Sequence, residues 1–453
     1  MNLYGPVRAD KSVGTGKATA ILSMKWEGVP VASTKYTVDV LDALGGPSLP
    51  VSSRLIRSLP HPDRTANVTD VRFTPKGTLF SAGTPSGVVQ MWEPASGKDL
   101  RRIQIPHDSA RRWGQPQPSA DFATLFVTNH GDKMIRNEAD PKQPPKMDYD
   151  SKILAWDLAT GKPKVAWKPP RGVGIYHSQL SPDGSRLITY ELRSGTLAGA
   201  LPVAAFRMTD TSSGRSWKLA DGIGMATFSP DSKRIYVAIM VVAGRREGGL
   251  LVFDRDGKPL PPLDPLGVQR WYSPIVSPDG KWLVAGVRSG RDSDPITLKV
   301  FDLATGQVVP AIPPKGDPSL FSPTFSPDGR FLLAFGTKGH LRVFDVAKWS
   351  VVLEHEMKGL NWGGLLAFTK DGRRLAVPVQ TKTADGTRAE PDPLDYPQPR
   401  IYLFDMTKPA SAPEEIVCPH GWMRSLAFSP DGKTLAFGST GAVHLFDVSG
   451  PAK

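Results

Sequence analysis

The chain has 453 residues, of which 44 are glycine and 44 are proline, while 40% are hydrophobic and 22% are charged. These values indicate a folded, turn-rich protein, because glycine and proline together stay below the roughly 25–30% of residues at which low-complexity disorder begins. The single cysteine, Cys418, excludes an intrachain disulfide and a cysteine-rich zinc site, and the formal net charge of +12 favours acidic partners.

The N-terminal 52 residues lie outside the repeated motif described below. Met1 to Thr19 reads as a lead-in. Lys35 to Gly45 resembles a third-strand motif, which indicates either one extra strand or a shifted register of the repeats. Met1 to Glu27 contains no secretory apolar core, and the longest apolar run, Ile235 to Ala243, is far below the roughly 20 residues that span a bilayer. We therefore expect a cytoplasmic protein without membrane contact, with a lead-in over residues 1–52 and one repeat domain over residues 53–453.

One sequence motif recurs from Val68 onward. It consists of a short apolar strand, a Phe-Ser-Pro-Asp-Gly-like turn and a second apolar strand. Serine, proline with φ near −65°, aspartate and a left-handed glycine fit a type I turn that closes a hairpin with a bulge. Phe122 and Ser232 replace the glycine in two copies, so we expect those two turns to differ. The eight copies have their fourth residue at Lys76, Asp121, Asp183, Asp231, Asp279, Asp328, Asp371 and Asp431.

A second sequence motif follows each of these turns. It is a strand that ends in an aromatic or hydroxyl residue followed by an acidic residue, and a short turn comes after it. Trp156-Asp157 and Phe301-Asp302 are examples, and a fourth apolar stretch precedes the next copy. Four short strands per repeat predict an all-β propeller of four-stranded blades. The count of the copies predicts eight blades, with seven as the alternative.

The last copy has three strands and lacks a fourth. The segment Ser53 to Leu59, followed by His61, parallels Leu100 to His107, the fourth strand of the first copy. Because an unpaired edge strand would leave the ring open, we predict that this N-terminal strand completes the last blade.

These repeats resemble the WD40-repeat propeller family from about Ser53 to Gly450. In that family a histidine, a serine or threonine, an aspartate and the tryptophan of a Trp-Asp pair form a hydrogen-bonded network in each blade. Here only Trp156-Asp157 is a true pair, and only His61, His107 and His420 resemble the histidine. The resemblance therefore indicates a degenerate WD40 propeller whose blades depend mainly on apolar packing, and it implies an interaction function.

The repeats differ in length mainly in the loops on one face of the predicted propeller. The Ser-Pro-Asp-Gly turns stay short, whereas the loops between second and third strands are long at Asn129 to Ser151, Glu191 to Pro202, Val241 to Gly248, Val287 to Pro295 and Gln380 to Gln398. Insertions grouped on one face are typical of a binding face in repeat proteins.

Aromatic residues stand where the innermost strands should begin, several of them beside arginine. Such residues are enriched at binding hot spots, and the alternative is that their rings pack between blades. If they bind a partner, we expect them to be partly exposed around the channel mouth. They are Arg111, Arg112, Trp113, Tyr176, Arg270, Trp271, Tyr272, Phe321, Trp362, Trp422 and Arg424.

No nucleophile elbow or metalloprotease helix motif is present, and Cys418 near His420 stands where a blade begins. We therefore predict a non-enzymatic scaffold without a cofactor that binds a protein or peptide, with an acidic partner favoured by the charge. The alternative is RNA or single-stranded DNA bound by the same arginines and aromatic rings. A less favoured alternative is a quinone-binding (PQQ-like) propeller, because Ala155 to Lys162 with Trp167 resembles the tryptophan-docking motif of quinoprotein dehydrogenases.

Overall fold

The computed structural model describes residues 17–26, 29–39, 51–63, 66–84, 86–105, 116–129, 133–135, 146–149, 151–169, 172–193, 204–241, 248–267, 269–289, 293–309, 319–336, 339–357, 365–379, 399–419, 421 and 423–450. Over these residues the backbone forms 36 strands and no helix. It follows that this part of the chain holds no helix long and apolar enough to cross a membrane.

Three strands precede blades 1 to 4, which follow in chain order. The strands that precede it are β1 (Lys17–Trp26), β2 (Val29–Asp39) and β3 (Leu55–Pro60). Blade 1 contains β4 (Asn67–Phe73), β5 (Leu79–Thr84), β6 (Val88–Trp92) and β7 (Asp99–Gln104). Blade 2 contains β8 (Gln117–Pro118) and β9 (Thr124–Asn129), then an inserted hairpin of β10 (Lys133–Ile135) and β11 (Lys146–Asp148), then β12 (Lys152–Asp157) and β13 (Pro163–Trp167). Blade 3 contains β14 (Val173–Leu180), β15 (Arg186–Arg193), β16 (Ala204–Asp210) and β17 (Ser216–Asp221). Blade 4 contains β18 (Ile223–Phe228), β19 (Arg234–Val241), β20 (Gly248–Asp254) and β21 (Pro259–Gly267).

The remaining four blades repeat the same antiparallel order. Blade 5 contains β22 (Gln269–Val276), β23 (Trp282–Ser289), β24 (Thr297–Asp302) and β25 (Val308–Val309). Blade 6 contains β26 (Leu320–Phe325), β27 (Phe331–Gly336), β28 (His340–Asp345) and β29 (Ser350–Glu356). Blade 7 contains β30 (Ala367–Phe368), β31 (Arg374–Val379), β32 (Arg400–Asp405) and β33 (Glu414–Val417). Blade 8 contains β34 (Ser425–Phe428), β35 (Thr434–Ser439), β36 (Ala442–Asp447) and, as its outer strand, β3.

The ring is closed by β3, which pairs antiparallel with β36. Leu55 lies opposite Phe446, and Leu59 lies opposite Val443. The predicted crossover of the N-terminal strand and the eight-bladed count are therefore confirmed, and the seven-bladed alternative is wrong.

Each blade packs on the next through an apolar cluster, and the eighth cluster joins blade 8 to blade 1. The second strand of a blade is covered on both faces by this packing, which explains why Phe331–Gly336 is buried throughout and reads as one apolar run. At the closing seam, Leu59 of β3 joins the same cluster as Val68 of β4 and Val443 of β36.

The hairpin turns keep one geometry in spite of their sequence differences. Gly184 and Gly329 have φ of 71° and 73°, as the turn requires, but Phe122 and Ser232 also have positive φ, of 54° and 59°. Their amides donate to Ser119 and Ser229 just as Gly184 donates to Ser181. The expectation that these two turns differ is therefore wrong.

Local hydrogen bonds explain how a bulky residue is held in that conformation. In the turn at Phe122, the Ser119 hydroxyl donates to Asp121 at 2.6 Å, and the amide of Ala123 donates to the same carboxylate. The Phe122 ring also packs edge-on against Phe80, with the ring centres 6.1 Å apart. These hydrogen bonds, that of Ser119 first, hold the pKa of the Asp121 carboxyl below its usual value.

The seam between blades 2 and 3 is polar where the other seams are mainly apolar. Its buried apolar cluster contains only Ile153, Ile175 and Leu187 in the described part of the chain. Gln117 of blade 2 donates to the Ser178 hydroxyl at 3.0 Å and accepts from the Leu180 amide at 2.6 Å. Hydrogen bonds across the innermost strands therefore supplement the small apolar cluster at this seam.

The N-terminal hairpin stands apart from the blades in its pairing. The sequence predicts one strand from Lys35 to Gly45, and in the structure β2 ends at Asp39 and pairs with β1 in a separate two-stranded sheet. Residues 1–16 lie outside the described residues, and the domain boundary after residue 52 stays a prediction.

The histidine network of a complete WD40 blade is not formed around His61. His61 is buried, and its Nδ1 lies 2.9 Å from the carbonyl oxygen of Asp63. Within the described residues, Nε2 of His61 and the hydroxyl of buried Ser81 have no hydrogen-bond partner. The same is true of the indole nitrogen of Trp156, whose ring packs in the apolar cluster between blades 1 and 2.

Candidate functional site

The two faces of the ring differ in the connections that they carry. We call the face with the Ser-Pro-Asp-Gly turns the turn face, and the opposite face, where chain segments lead into the innermost strands, the loop face. The described strands on either side of the long insertions end and begin at the loop face, and most residues of those insertions lie outside the described residues. Arg111, Arg112, Trp113, Trp362 and Trp422 also lie outside them.

Tyr176 is an exposed candidate on the innermost strand of blade 3. It stands in the innermost strand β14, where the pairing with β15 shifts between Ile175 and His177 and leaves Tyr176 without a cross-strand partner. A bulge of this kind redirects a side chain, and the Tyr176 side chain is 71% exposed. Its ring meets Tyr190 edge-on at 6.1 Å, and burial of Tyr190 raises the pKa of that phenol to about 12.

Met225 occupies the corresponding part of the innermost strand in blade 4 and is 52% exposed. The Ser273 hydroxyl of blade 5 lies 3.3 Å from its sulfur. Met225 has no aromatic ring and therefore falls outside the predicted set of aromatic residues on the innermost strands. Its position, six residues before the turn residue Asp231, could have identified it.

Two serine-proline pairs distort the innermost strands of blades 5 and 6. Pairing shifts between Tyr272 and Ile275 and between Phe321 and Thr324, because a proline has no amide to donate to the sheet. Ser273 and Ser322, which precede the prolines, have positive φ of 43° and 50°. Residues in such strained conformations are enriched at binding sites.

Tyr272 and Phe321 flank these bulges and are half-buried. The guanidinium of Arg288 lies 5.7 Å from the centre of the Tyr272 ring, which is a cation–π distance. Phe321 packs against the apolar cluster between blades 6 and 7. Both rings therefore have a structural contact as well as accessible surface.

Trp271 and Arg270 differ from the expected partly exposed pair. Trp271 has an exposed fraction of 0%, and its indole donates to Asp264 of blade 4 at 2.8 Å. Its ring packs against Phe301 within the cluster between blades 4 and 5, and Arg270 is also buried. The expected exposure is therefore wrong for both. Trp271 fills a seam between blades, as the packing alternative states.

Arg424 is exposed just before β34, and its amide donates to Gly438. The structure therefore brings Tyr176, Tyr272, Phe321 and Arg424 to corresponding places at the loop-face ends of innermost strands. It adds Met225 to this set and removes Arg270 and Trp271.

The channel wall also carries charged groups close to the innermost strands. Arg72 of β4 donates to both carboxylate oxygens of Asp70, at 3.0 and 3.1 Å. Burial raises the pKa of Asp70, and Arg72 opposes that rise. Partial burial lowers the pKa of His177, which neighbours Tyr176.

Cys418 has the environment of a core residue. It is buried in the cluster between blades 7 and 8, and burial raises the pKa of its thiol far above the usual value. A thiol that stays protonated is a poor nucleophile. Within the described residues, no group of three or more His, Cys, Asp or Glu side chains could hold a metal ion.

Trp156 and Trp167, which carry the quinoprotein-like motif, pack between blades. Trp156 is buried between blades 1 and 2. Trp167 stacks on Phe126 at 6.0 Å and covers Gly214, where an added Cβ would lie 2.5 Å from the indole nitrogen. Both rings have structural contacts at the described seams.

A family model described as WD domain, G-beta repeat matches residues 53–93 and 413–447. Each matched stretch contains the outer strand of one blade and three strands of the next, β3 to β6 in the first and β33 to β36 in the second. Consecutive blades are thus linked within each repeat.

Two solved structures are similar to this chain. The C-terminal WD40 domain of Sif2 has a TM-score of 0.56 at 12% sequence identity, and the match covers 87% of this chain and 98% of that domain. The β-propeller domain of Cps50 (Swd1) from Myceliophteria thermophila has a TM-score of 0.48 at 14% identity, with 87% and 99% covered. Among curated proteins, no sequence matches this chain. Two stretches of the chain thus match the WD40 repeat model, and the eight four-stranded blades give the chain a β-propeller fold similar to that of WD40 domains.

Proposed function

We propose that this propeller is a non-enzymatic scaffold that binds a protein or peptide at the loop-face mouth of its channel. WD40 propellers are generally interaction scaffolds, and this supports the class of function. A fold by itself does not fix a function, so the choice of face and residues depends on the side chains.

The observation that carries the proposal is the exposure of two large side chains, Tyr176 and Met225, on innermost strands of neighbouring blades. In a monomeric fold such side chains are usually turned into a core, and tyrosine and methionine are enriched where proteins bind one another. Tyr272 and Phe321 extend the same circle into blades 5 and 6. A bound segment that crosses the channel mouth would bury all four side chains.

The strained backbone at Ser273 and Ser322 supports the same location. A positive φ at a residue other than glycine costs of order 1–3 kcal/mol and persists where the surrounding structure holds it. At these two positions the bulges shape the wall beside Tyr272 and Phe321. We infer that they shape the surface that receives the partner.

Site-specific cross-linking tests the proposal. A photoreactive amino acid at position 225 should cross-link to one defined protein in a cell extract. The same residue at position 351, which is exposed on the outer strand β29, should not cross-link to that protein. Equal products from both positions, or none from position 225, would reject the loop-face mouth as the binding site.

Nucleic acid is the competing ligand class, supported by the net charge of +12 and by exposed Arg424. Binding of nucleic acid weakens steeply with salt because counterions are released. If nuclease treatment removes the cross-linked product, or affinity falls about a thousandfold or more between 50 and 200 mM salt, the ligand is nucleic acid.

A further inference from the structure

A groove on the turn face lies between the hairpin turns of blades 7 and 8. Its volume is about 590 Å³, within the roughly 300–1,000 Å³ range of ligand sites. We call it the blade 7/8 groove. Its charged lining residues are Lys370, Asp371, Arg373, Arg374, Asp431 and Lys433.

The groove carries an excess of positive charge. Four cationic side chains, Lys370, Arg373, Arg374 and Lys433, line it beside the two carboxylates of Asp371 and Asp431. Arg373 forms an ion pair with Asp371 at 3.6 Å, and the charge of Lys433 acts on neighbouring Asp431. The two remaining cations, Lys370 and Arg374, give the groove its net positive charge.

A comparison with blade 3 shows that Arg374 lacks the ion pair expected at its position. Arg186 and Arg374 are both the second residue after the turn glycine, and each lies opposite the third-strand aspartate of its own blade. In blade 3, Arg186 pairs with Asp210 at 2.5 Å. Among the described residues, Arg374 makes no ion pair, and its guanidinium donates one 3.5 Å hydrogen bond, to the carbonyl oxygen of Ser449.

The nearby carboxylates are already engaged by other groups. Asp405, opposite Arg374, accepts hydrogen bonds from the amide and hydroxyl of Thr407 at 2.9 and 2.7 Å. The charge of Arg374 acts on Asp405 and helps to lower the pKa of that carboxyl, but no hydrogen bond joins the two side chains. Glu414 is held by two nitrogens of the Arg54 guanidinium. Arg374 is therefore available to an incoming carboxylate.

Lys370 is the second departure from the repeated pattern. It stands where six of the other turns have proline, at Pro75, Pro182, Pro230, Pro278, Pro327 and Pro430. Proline suits this position because its φ is fixed near −65°, so lysine is not required by the turn. Lys370 is exposed and makes no hydrogen bond or ion pair with the described residues.

We propose that the blade 7/8 groove binds an acidic peptide segment of a partner protein, through carboxylates that reach Lys370 and Arg374. This site is separate from the proposed loop-face site, because it opens on the opposite face. Nucleic acid fits less well, since no aromatic ring for base stacking lines the groove and Asp371 and Asp431 would face its phosphates.

The test measures binding of a labelled peptide with pairs of glutamates separated by glycine, using fluorescence anisotropy at 50 and 150 mM salt. The test variant combines Lys370→Pro, which restores the common turn, with Arg374→Thr, the residue found at the same position as Thr434 in blade 8. The control combines Lys233→Ser and Lys281→Ser, which remove the same charge from the turns of blades 4 and 5, with serine as in Ser185 of blade 3.

The proposal predicts that the Lys370→Pro, Arg374→Thr variant binds the peptide at least about tenfold more weakly, while the control variant changes affinity less than about twofold. A glutamine version of the peptide should not bind. Equal weakening by both variants would show that only net charge matters and would overturn the site. So would absence of binding to the wild type at 50 mM salt, or preference for a single-stranded oligonucleotide that is lost in the same variant. Failure of the loop-face cross-link at position 225 would leave this result unaffected.

Discussion

The Ser58 hydroxyl lies 2.8 Å from Nδ1 of His444, and the two residues are separated by 386 positions in the chain. Nε2 of the same imidazole lies 3.0 Å from the Ser439 hydroxyl, and the ring stacks on Phe437 at 4.6 Å. His444 thus joins the closing strand β3 to the second and third strands of blade 8. The closure of the ring depends partly on an imidazole that is hydrogen-bonded at both nitrogens.

This arrangement predicts a pH-dependent stability. Burial lowers the pKa of His444 to about 4, below the ordinary value of 6.5. The folded protein therefore binds a proton at His444 less readily than the unfolded chain. The resulting stabilisation is present in full above pH 6.5 and is lost progressively as the pH falls toward 4. At pH 5 the loss should be about 2 kcal/mol.

Denaturant unfolding of the wild type and His444→Gln at pH 7.5 and 5 measures this loss. The glutamine variant keeps hydrogen-bonding capacity but does not titrate, so it should lose less free energy of unfolding over the same interval. Parallel losses in both proteins would show that other groups cause the pH dependence.

Ring closure also predicts unequal effects of two substitutions in β3. Leu59 is 3% exposed within the closing cluster, whereas Ile56 is 50% exposed on the same strand. Leu59→Ala should lower the free energy of unfolding by about 2–5 kcal/mol, and Ile56→Ala should change it by less than about 0.5 kcal/mol. Calorimetric melting of both variants checks this difference, and similar melting temperatures would contradict the closing role of β3.

The glycine turns between third and fourth strands allow a test of packing between blades 2 and 3. Gly214 and Gly306 both have φ of 72°, but only at Gly214 would a new Cβ meet a side chain, that of Trp167. Both alanine variants should lose about 1 kcal/mol from the strained φ. Gly214→Ala should lose more, and the excess should disappear when Trp167→Ala is also present. An excess that remains in the double variant would reject the docking of Trp167.

Trp271 and Tyr176 predict opposite results for the same kind of substitution. Trp271→Ala should destabilise the fold by roughly 3–5 kcal/mol, because it empties the seam between blades 4 and 5 and leaves Asp264 without its donor. Tyr176→Ala should leave the melting temperature nearly unchanged. A stable Trp271→Ala protein would mean that the indole does not support the core.

The repeated sequence motifs were sufficient to predict eight blades and the crossover of β3, because the turn residues and the apolar alternation of the strands recur in each blade. They could not predict which way the aromatic residues face. The innermost strands contain bulges at different positions, at Tyr176 in blade 3 and after Tyr272 in blade 5, and each bulge reverses the alternation of side chains. Trp271 therefore points into a seam, although its sequence context resembles that of Tyr176.

Two further features depended on contacts that a repeat pattern does not contain. The polar seam between blades 2 and 3 requires a contact between Gln117 and Ser178, which are 61 positions apart in the chain. The positive φ of Phe122 is stabilised by its own turn and by Phe80 of the preceding blade. Neither contact follows from local propensity.

Binding of the partner at the loop-face mouth of the channel can be measured with the protein that cross-links at position 225. Titration calorimetry gives the affinity of that protein for a purified Tyr176→Ala, Met225→Ala double variant, for Val351→Ala and for the wild type. The first variant should lose about 1–3 kcal/mol of binding free energy while its melting temperature stays within about 2 °C of the wild type, and Val351→Ala should bind as the wild type does. Unchanged affinity of the Tyr176→Ala, Met225→Ala protein would contradict binding of the partner at the loop-face mouth.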